Sequence, residues 1–349
     1  MKSKHLLLLF SLLFVLIYAC RDDDGLADGT PERDRGEQQL VDGDSLISYL
    51  SQTYWNRVDF EGITNPSIND LVIETYENES DVPAGYAVLL TDPWLVTETI
   101  EIFDVDYVYY YLRINQGGGD ESPTFSDNVR VTYEGFTLDN EVFDSAINPV
   151  DFDLLNLVAG WGRVLPNFNV ALSFTSNGDG TITYNDAGVG VMFIPSGLGF
   201  FSASAPGVPL YSNLAFKFEL YQYEENDHDN DGIPSYLEDV DGDTILTNDD
   251  NDNDNILDFT DPDDDNDGIA TISEHIWTQY CVDTNLGETE PVLQDLEFEF
   301  SRSEEDGQIT ILTYRLPDVN GNGTFDYLEQ SIDTNNFEEF DQNNTDCFE

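Results

Sequence analysis

Val131-Thr132-Tyr133-Glu134-Gly135, then Glu141-Val142-Phe143-Asp144-Ser145, and far downstream Leu214-Ala215-Phe216-Lys217-Phe218-Glu219-Leu220, are the stretches whose reading decides the fold. The first and last alternate apolar and polar side chains, the period of a half-buried strand. Upstream, Tyr107-Val108-Tyr109-Tyr110-Tyr111-Leu112 has the aromatic composition of a strand, and Gly117-Gly118-Gly119 breaks it. Another strand is expected around Val191 to Ile194, and a short helix over 168–174. Asp44 or Ser45 is positioned to cap an opening helix in which Leu46, Ile47, Leu50, Tyr54 and Trp55 recur at near-helical spacing. The pattern predicts an antiparallel α+β domain.

The composition excludes much chemistry. The 349 residues hold 71 Asp and Glu against 12 Lys and Arg, a net charge of −59, so nucleic acid and anionic lipid surfaces are poor partners. Hydrophobic residues are 40% of the chain, enough for a proper core within two or three modules. Residues 21–227 contain neither His nor Cys. A Ser-His-Asp triad, a Cys-His pair or a His-based zinc site cannot be built there. The apolar domain must work with carboxylates, hydroxyls, aromatic rings and backbone.

To the three opening stretches the chain adds Arg163-Val164-Leu165-Pro166-Asn167-Phe168, Phe193-Ile194-Pro195-Ser196-Gly197 and Val208-Pro209, in that order. Over residues 104–223 this succession resembles the FKBP family of peptidyl-prolyl isomerases. The resemblance implies a curved antiparallel sheet wrapped on one short helix, with an apolar pocket between them. It places Tyr133, Phe143, Asp144, Val164, Leu165, Phe168, Phe200 and Phe216 around a substrate proline ring. Leu165 is expected to offer its backbone N–H to a substrate carbonyl, and Asp144 to sit at the rim close to Tyr133. Three positions depart from the family: Phe168 matches its pocket-floor Trp, Phe200 matches a rim Tyr, and Val150 matches a further aromatic. An acidic, Gly-containing loop over 176–186 is also longer than the expected hairpin.

Such a pocket suits the scarce side chains. Rotation about X-Pro requires only that amide resonance be broken, and no nucleophile is needed. A dry aromatic cleft favours the twisted amide, which has lost resonance polarity. The alternative is a non-catalytic surface binding or scaffold protein with a degenerate pocket.

After Tyr223 the composition changes, and from Phe218 to Ser301 there is no Lys or Arg. Asp227, Asp229, Asp231, Gly232, Ile233 and Glu238 match the twelve-residue D-x-D-x-D-G loop that gives Ca²⁺ an oxygen shell, the seventh residue through its carbonyl. Asp263, Asp265, Asp267, Ile269 and Glu274 repeat it, as do Asp318, Asn320, Asn322, Thr324 and Glu329. Degenerate copies lie between: Asp239, Asp241 and Asp243 with Asp250, then Asp250, Asp252 and Asp254 with Ile256, Asp258 and Asp261. They carry Thr244 and Asn255 where the others have Gly. Loop starts about 12 residues apart leave no room for EF-hand helices. The segment resembles thrombospondin type 3 repeats, implying chain wound around a row of structural Ca²⁺ ions, with His228 and His275 as bystanders.

Lys2 and Lys4 precede an apolar run, Leu6 to Tyr18, too short to span a membrane. Ile17-Tyr18-Ala19-Cys20 resembles a bacterial lipobox, and Arg21-Asp22-Asp23-Asp24 resembles the export tag of Bacteroidetes surface lipoproteins. The expected organisation is a signal at 1–19, an acidic tether at 20–44 behind an acylated Cys20, and an N-terminal helix and mixed segment at 45–103. The isomerase-like domain follows at 104–223, calcium repeats at 224–274, and a C-terminal β unit at 275–349 with two strands. Cys281 and Cys347 are free to form a disulfide in an exported compartment. The whole implies an outer-membrane lipoprotein acting on Pro-containing polypeptides, with no cofactor for catalysis.

Overall fold

The computed structural model describes residues 31–294, 296–330 and 347. The signal, Cys20 and the first part of the expected tether, 20–30, lie outside them. Helix α1, Arg35–Ser51, begins ten residues before the expected start, with the Asp34 side chain accepting from Glu37 N–H as its cap. Residues 35–44 are therefore helix and not tether. Its first half hid from an apolar-periodicity reading because its buried positions are polar: Gln38 and Asp42. Asp42 accepts from the Ser196 N–H at 2.9 Å and the Ser196 hydroxyl at 2.6 Å, and its other oxygen accepts from Gln38 at 2.6 Å.

Strands β1 (Thr53–Trp55), β2 (Ile73–Thr75) and β3 (Ala87–Val88) form a small sheet in the order β2-β1-β3. The main sheet is antiparallel and six-stranded. It contains β4 (Leu95–Ile102), β5 (Val105–Asn115), β6 (Asn128–Thr137) and β7 (Val142–Asp153). Helix α2 (Gly160–Val164) follows, then a hairpin of β8 (Ser173–Ser176) and β9 (Ile182–Asn185), and finally β10 (Gly188–Ile194) and β11 (Leu214–Glu224) return to the main sheet. The order is β4-β5-β10-β11-β6-β7. The helix expected over 168–174 is absent: Ser173 and Phe174 are strand, and the helix lies earlier, where Gly160 and Gly162 masked it. The acidic insertion is the tip of the β8–β9 hairpin.

Every residue of β10 is buried because both faces of the sheet are covered. Met192 and Ile194 face the core that α2 closes, with Phe216 and Phe218. Val189, Val191 and Phe193 face a second core, roofed by Leu46, Tyr49 and Leu50 of α1 and by Trp55. The N-terminal segment is thus the back wall of the sheet.

The C-terminal unit has three strands where two were expected: β12 (Ile276–Asp283), β13 (Glu297–Glu305) and β14 (Gln308–Arg315), in the order β12-β14-β13. Cys281 on β12 and Cys347 form a disulfide, with Cα atoms 5.5 Å apart. The acidic loops do not extend away as a stalk. Ile233 of the first loop is buried in one cluster with Tyr314, Leu316 and Tyr327. Asn251 donates to the Leu328 carbonyl at 3.0 Å, and Gln330 donates to the Asp265 carbonyl. Among the described residues no helix is long and apolar enough to cross a membrane.

Candidate functional site

Strand pairing sets Phe218 opposite Tyr133, Phe216 opposite Gly135, and Gly135 opposite Asp144. A Cβ at Gly135 would come within 2.8 Å of both Phe143 and Phe216, so only glycine lets these rings meet above the sheet. Their centroids are 5.5 Å apart, edge to face. Behind them stands Trp161 of α2, with its indole 5.2 Å from Phe216, 5.7 Å and perpendicular to Tyr133, and 6.5 Å from Phe152. Phe152 lies 5.5 Å from Tyr133. Half-buried Val150, Leu157, Val158, Phe200 and Ala205 pack around the same core. At the rim, the Tyr133 hydroxyl donates to Asp144 at 2.6 Å. Burial, and then this hydrogen bond, hold the Tyr133 phenol above its ordinary range.

The structure brings Tyr133, Phe143, Asp144 and Phe216 together, with Phe200 half-buried against the same core. Val164, Leu165 and Phe168 lie in the core of the same cluster instead of at that rim. All three have no exposed surface. Phe168 packs 4.9 Å from Phe218 and 5.7 Å from Tyr111, on the far side of Phe218 from Trp161. The Leu165 N–H is already spent on the Trp161 carbonyl at the end of α2. At the start of α2, Val158 offers the equivalent donor: among the described residues none accepts from its N–H. Anchoring the reading on Arg163-Val164-Leu165 displaced it along the chain and passed over Trp161, Phe152 and Val158. One signal could have found the indole: no other Trp lies between Trp94 and Trp277.

The five acidic loops share one backbone geometry. The sixth residue is left-handed in every copy: Gly232 at φ 97°, Gly268 and Gly323 at 93°, and also Thr244 at 66° and Asn255 at 77°. In each, the fifth side chain accepts from the seventh N–H, at 2.7 Å from Ile233, Ile245, Ile256 and Thr324, and 2.8 Å from Ile269. The degenerate copies thus keep the turn without its glycine. Carboxylate oxygens lie within 4.8 Å of one another in the sets Asp227/Asp229/Asp231, Asp250/Asp252/Asp254 and Asp263/Asp265/Asp267. In the second loop the partner of Asp239 and Asp241 is Asp249, not the expected Asp250. Asp243 sits beside them, and buried Asp258 accepts from Asn251 N–H at 2.7 Å. Asp261 accepts from Asp263 N–H, and Glu274 is buried. Glu329 reaches back to accept from the side chains of Asn320 at 2.8 Å and Asn322 at 2.9 Å. Ile256 is 44% exposed, whereas Ile233 at the same loop position is fully buried.

Asp239, Asp250, Asp252, Asp263 and Asp265 each keep one buried carboxylate oxygen without a hydrogen-bond partner among the described residues. This donor set, all oxygen and unneutralised, fits a hard divalent cation. His275 has a packing role beside the first loop. Its ring donates to the Asp231 carbonyl at 3.1 Å and stacks on Tyr314 at 4.9 Å, joining the first loop to the β unit.

Comparison with known proteins adds two findings. Residues 228–309 match a family model described as BamM C-terminal. The chain is 29% identical over 111 residues to the FKBP-type peptidyl-prolyl cis-trans isomerase FkpA of Escherichia coli strain K12, covering 31% of this chain and 35% of that protein. It is also 29% identical over 112 residues to the FKBP-type 22 kDa peptidyl-prolyl cis-trans isomerase of the same strain, 31% of this chain and 47% of that one. The crystal structure of FkpA from Escherichia coli superposes with a TM-score of 0.30 at 26% identity, over 38% of this chain and 53% of that one. The chain therefore spans less than half the length of these curated relatives, and about a third of it is weakly similar to FKBP-type isomerases.

Proposed function

We propose that the chain is a peptidyl-prolyl cis-trans isomerase, lipid-anchored at Cys20 in the outer envelope, that assists folding of exported Pro-containing polypeptides. The single observation that carries this is the position of Trp161, perpendicular to Tyr133 and 5.2 Å from Phe216, which in this reading makes the indole the floor of a proline site beside the rim pair Tyr133–Asp144. A proline ring lying on that indole, beside half-buried Phe143 and Phe152, leaves water. Its twisted amide, less polar than the planar one, is favoured there. The Val158 N–H is available to hold a flanking carbonyl while the bond turns.

The acidic loops, in the same reading, hold Ca²⁺ structurally, through Asp and Glu oxygens. A non-catalytic binding role is favoured by one observation: Gly207 lies so near Phe143 that a Cβ there would be 3.2 Å from the Phe143 Cβ, which leaves little room beside that ring. A protease-coupled X-Pro peptide assay separates the two. Acceleration above the uncatalysed rate at micromolar protein supports the isomerase, and none supports the binding protein.

A further inference from the structure

The first and fourth acidic loops are separated in sequence by two whole loops, yet they share a buried cluster. Oxygens of Asp231, Glu238 and Asp264 lie within 4.8 Å of one another. Glu238 has no exposed surface, and neither of its carboxylate oxygens has a hydrogen-bond partner among the described residues. Asp231 is 2% exposed: one oxygen accepts from the Ile233 N–H, and the other is buried and bare. Asp264 is 1% exposed and is held by the Thr271 hydroxyl at 2.6 Å, with its other oxygen bare.

Unpaired buried carboxylates are among the costliest groups a fold can hold, and they persist only when paired or bound to metal. No Lys or Arg occurs between residues 218 and 301 to neutralise them. Asp264 is also not used by its own loop, where Asp263, Asp265 and Asp267 form a separate set.

We infer that Asp231, Glu238 and Asp264 together hold one calcium ion between the first and fourth loops. The all-oxygen donor set suits a hard cation, and its three negative charges suit tight binding. Asp264 lies outside the alternating Asp pattern, in the second position of its loop, so no linear motif reveals it. The ion closes the loop array on itself and explains why the loops fold back as a compact unit around Tyr327, which is 1% exposed. This rests on the calcium reading of the loops.

The test is calorimetric titration of the full chain with CaCl₂ after chelator dialysis, comparing wild type with Asp264→Asn, Glu238→Gln and the double variant. Each single variant should bind one ion fewer than wild type, and the double variant no fewer than either. Thr271→Val, which leaves all three carboxylates in place, should weaken one ion by about 10–100-fold. Wild type that binds no calcium overturns both this site and the calcium reading. Wild type that binds calcium, with an Asp264→Asn variant of unchanged stoichiometry and affinity, overturns this site alone. Loss of two ions in the double variant also overturns it. If Asp264→Asn does not fold, unchanged affinity in Thr271→Val decides against the site.

Discussion

Arg163 donates from Nη2 to the Thr244 carbonyl at 2.8 Å, and its Nη1 also bonds the Thr244 hydroxyl. Arg163 lies two residues after Trp161 on α2, and Thr244 is the left-handed sixth residue of the second acidic loop. Ile245, next along, packs against the isomerase-like core. The helix that carries Trp161 is therefore fastened to an acidic loop. Arg163→Ala should destabilise the chain by about 1.5–3 kcal/mol, the scale of hydrogen bonds to charged groups. Urea unfolding followed by Trp fluorescence measures it, and an unchanged midpoint contradicts the contact.

Chelation should loosen the acidic loops first. With calcium withdrawn, the like-charged sets in the loops repel, and the cluster of Ile233, Tyr314 and Tyr327 loses its support. Limited proteolysis with EDTA should cut within residues 227–274, and added calcium should suppress the cuts. Equal resistance in both conditions contradicts a structural role for the ion.

Asp42 gives a pH signature for the docking of α1. Burial raises its folded pKa above the ordinary aspartate value of 3.8, outweighing the lowering by Ser196 and Gln38. A raised folded pKa means the folded state binds the proton more readily than the unfolded state. The contribution is thus fully present below 3.8 and is lost as pH rises through the folded value. The stability of wild type minus that of Asp42→Asn should fall as pH rises through that window and then level off. A difference that climbs with pH contradicts the burial argument.

Tyr133→Phe tests the rim. It removes the donor to Asp144 and should cost about 0.5–1.5 kcal/mol in stability. Thermal unfolding read by circular dichroism measures that cost. A loss several times larger would mean the hydroxyl holds more than the exposed Asp144.

What the sequence made legible followed from side-chain periodicity. Alternation in Val131 to Tyr133 and Leu214 to Leu220 located the central strands, and the Asp spacing located the loops. Three features escaped for physical reasons. The first half of α1 is buried through Gln38 and Asp42, which leave no apolar stripe. The helix α2 begins Gly160-Trp161-Gly162, a composition that argues against helix; a Cβ at Gly160 would lie 2.6 Å from Ile194 Cδ1, so the glycine is there for close packing. Asp249 and Asp264 join carboxylate sets through tertiary folding, which linear spacing does not encode.

The most direct test of the central claim is the catalytic efficiency on an X-Pro peptide of wild type against Trp161→Leu and Phe168→Leu. Trp161→Leu should lose at least about tenfold in kcat/KM, roughly 1.4 kcal/mol of transition-state stabilisation. Phe168→Leu, behind Phe218, should destabilise the fold while keeping kcat/KM near wild type. The opposite pattern, or no acceleration by wild type, contradicts an indole-floored cleft as the working part.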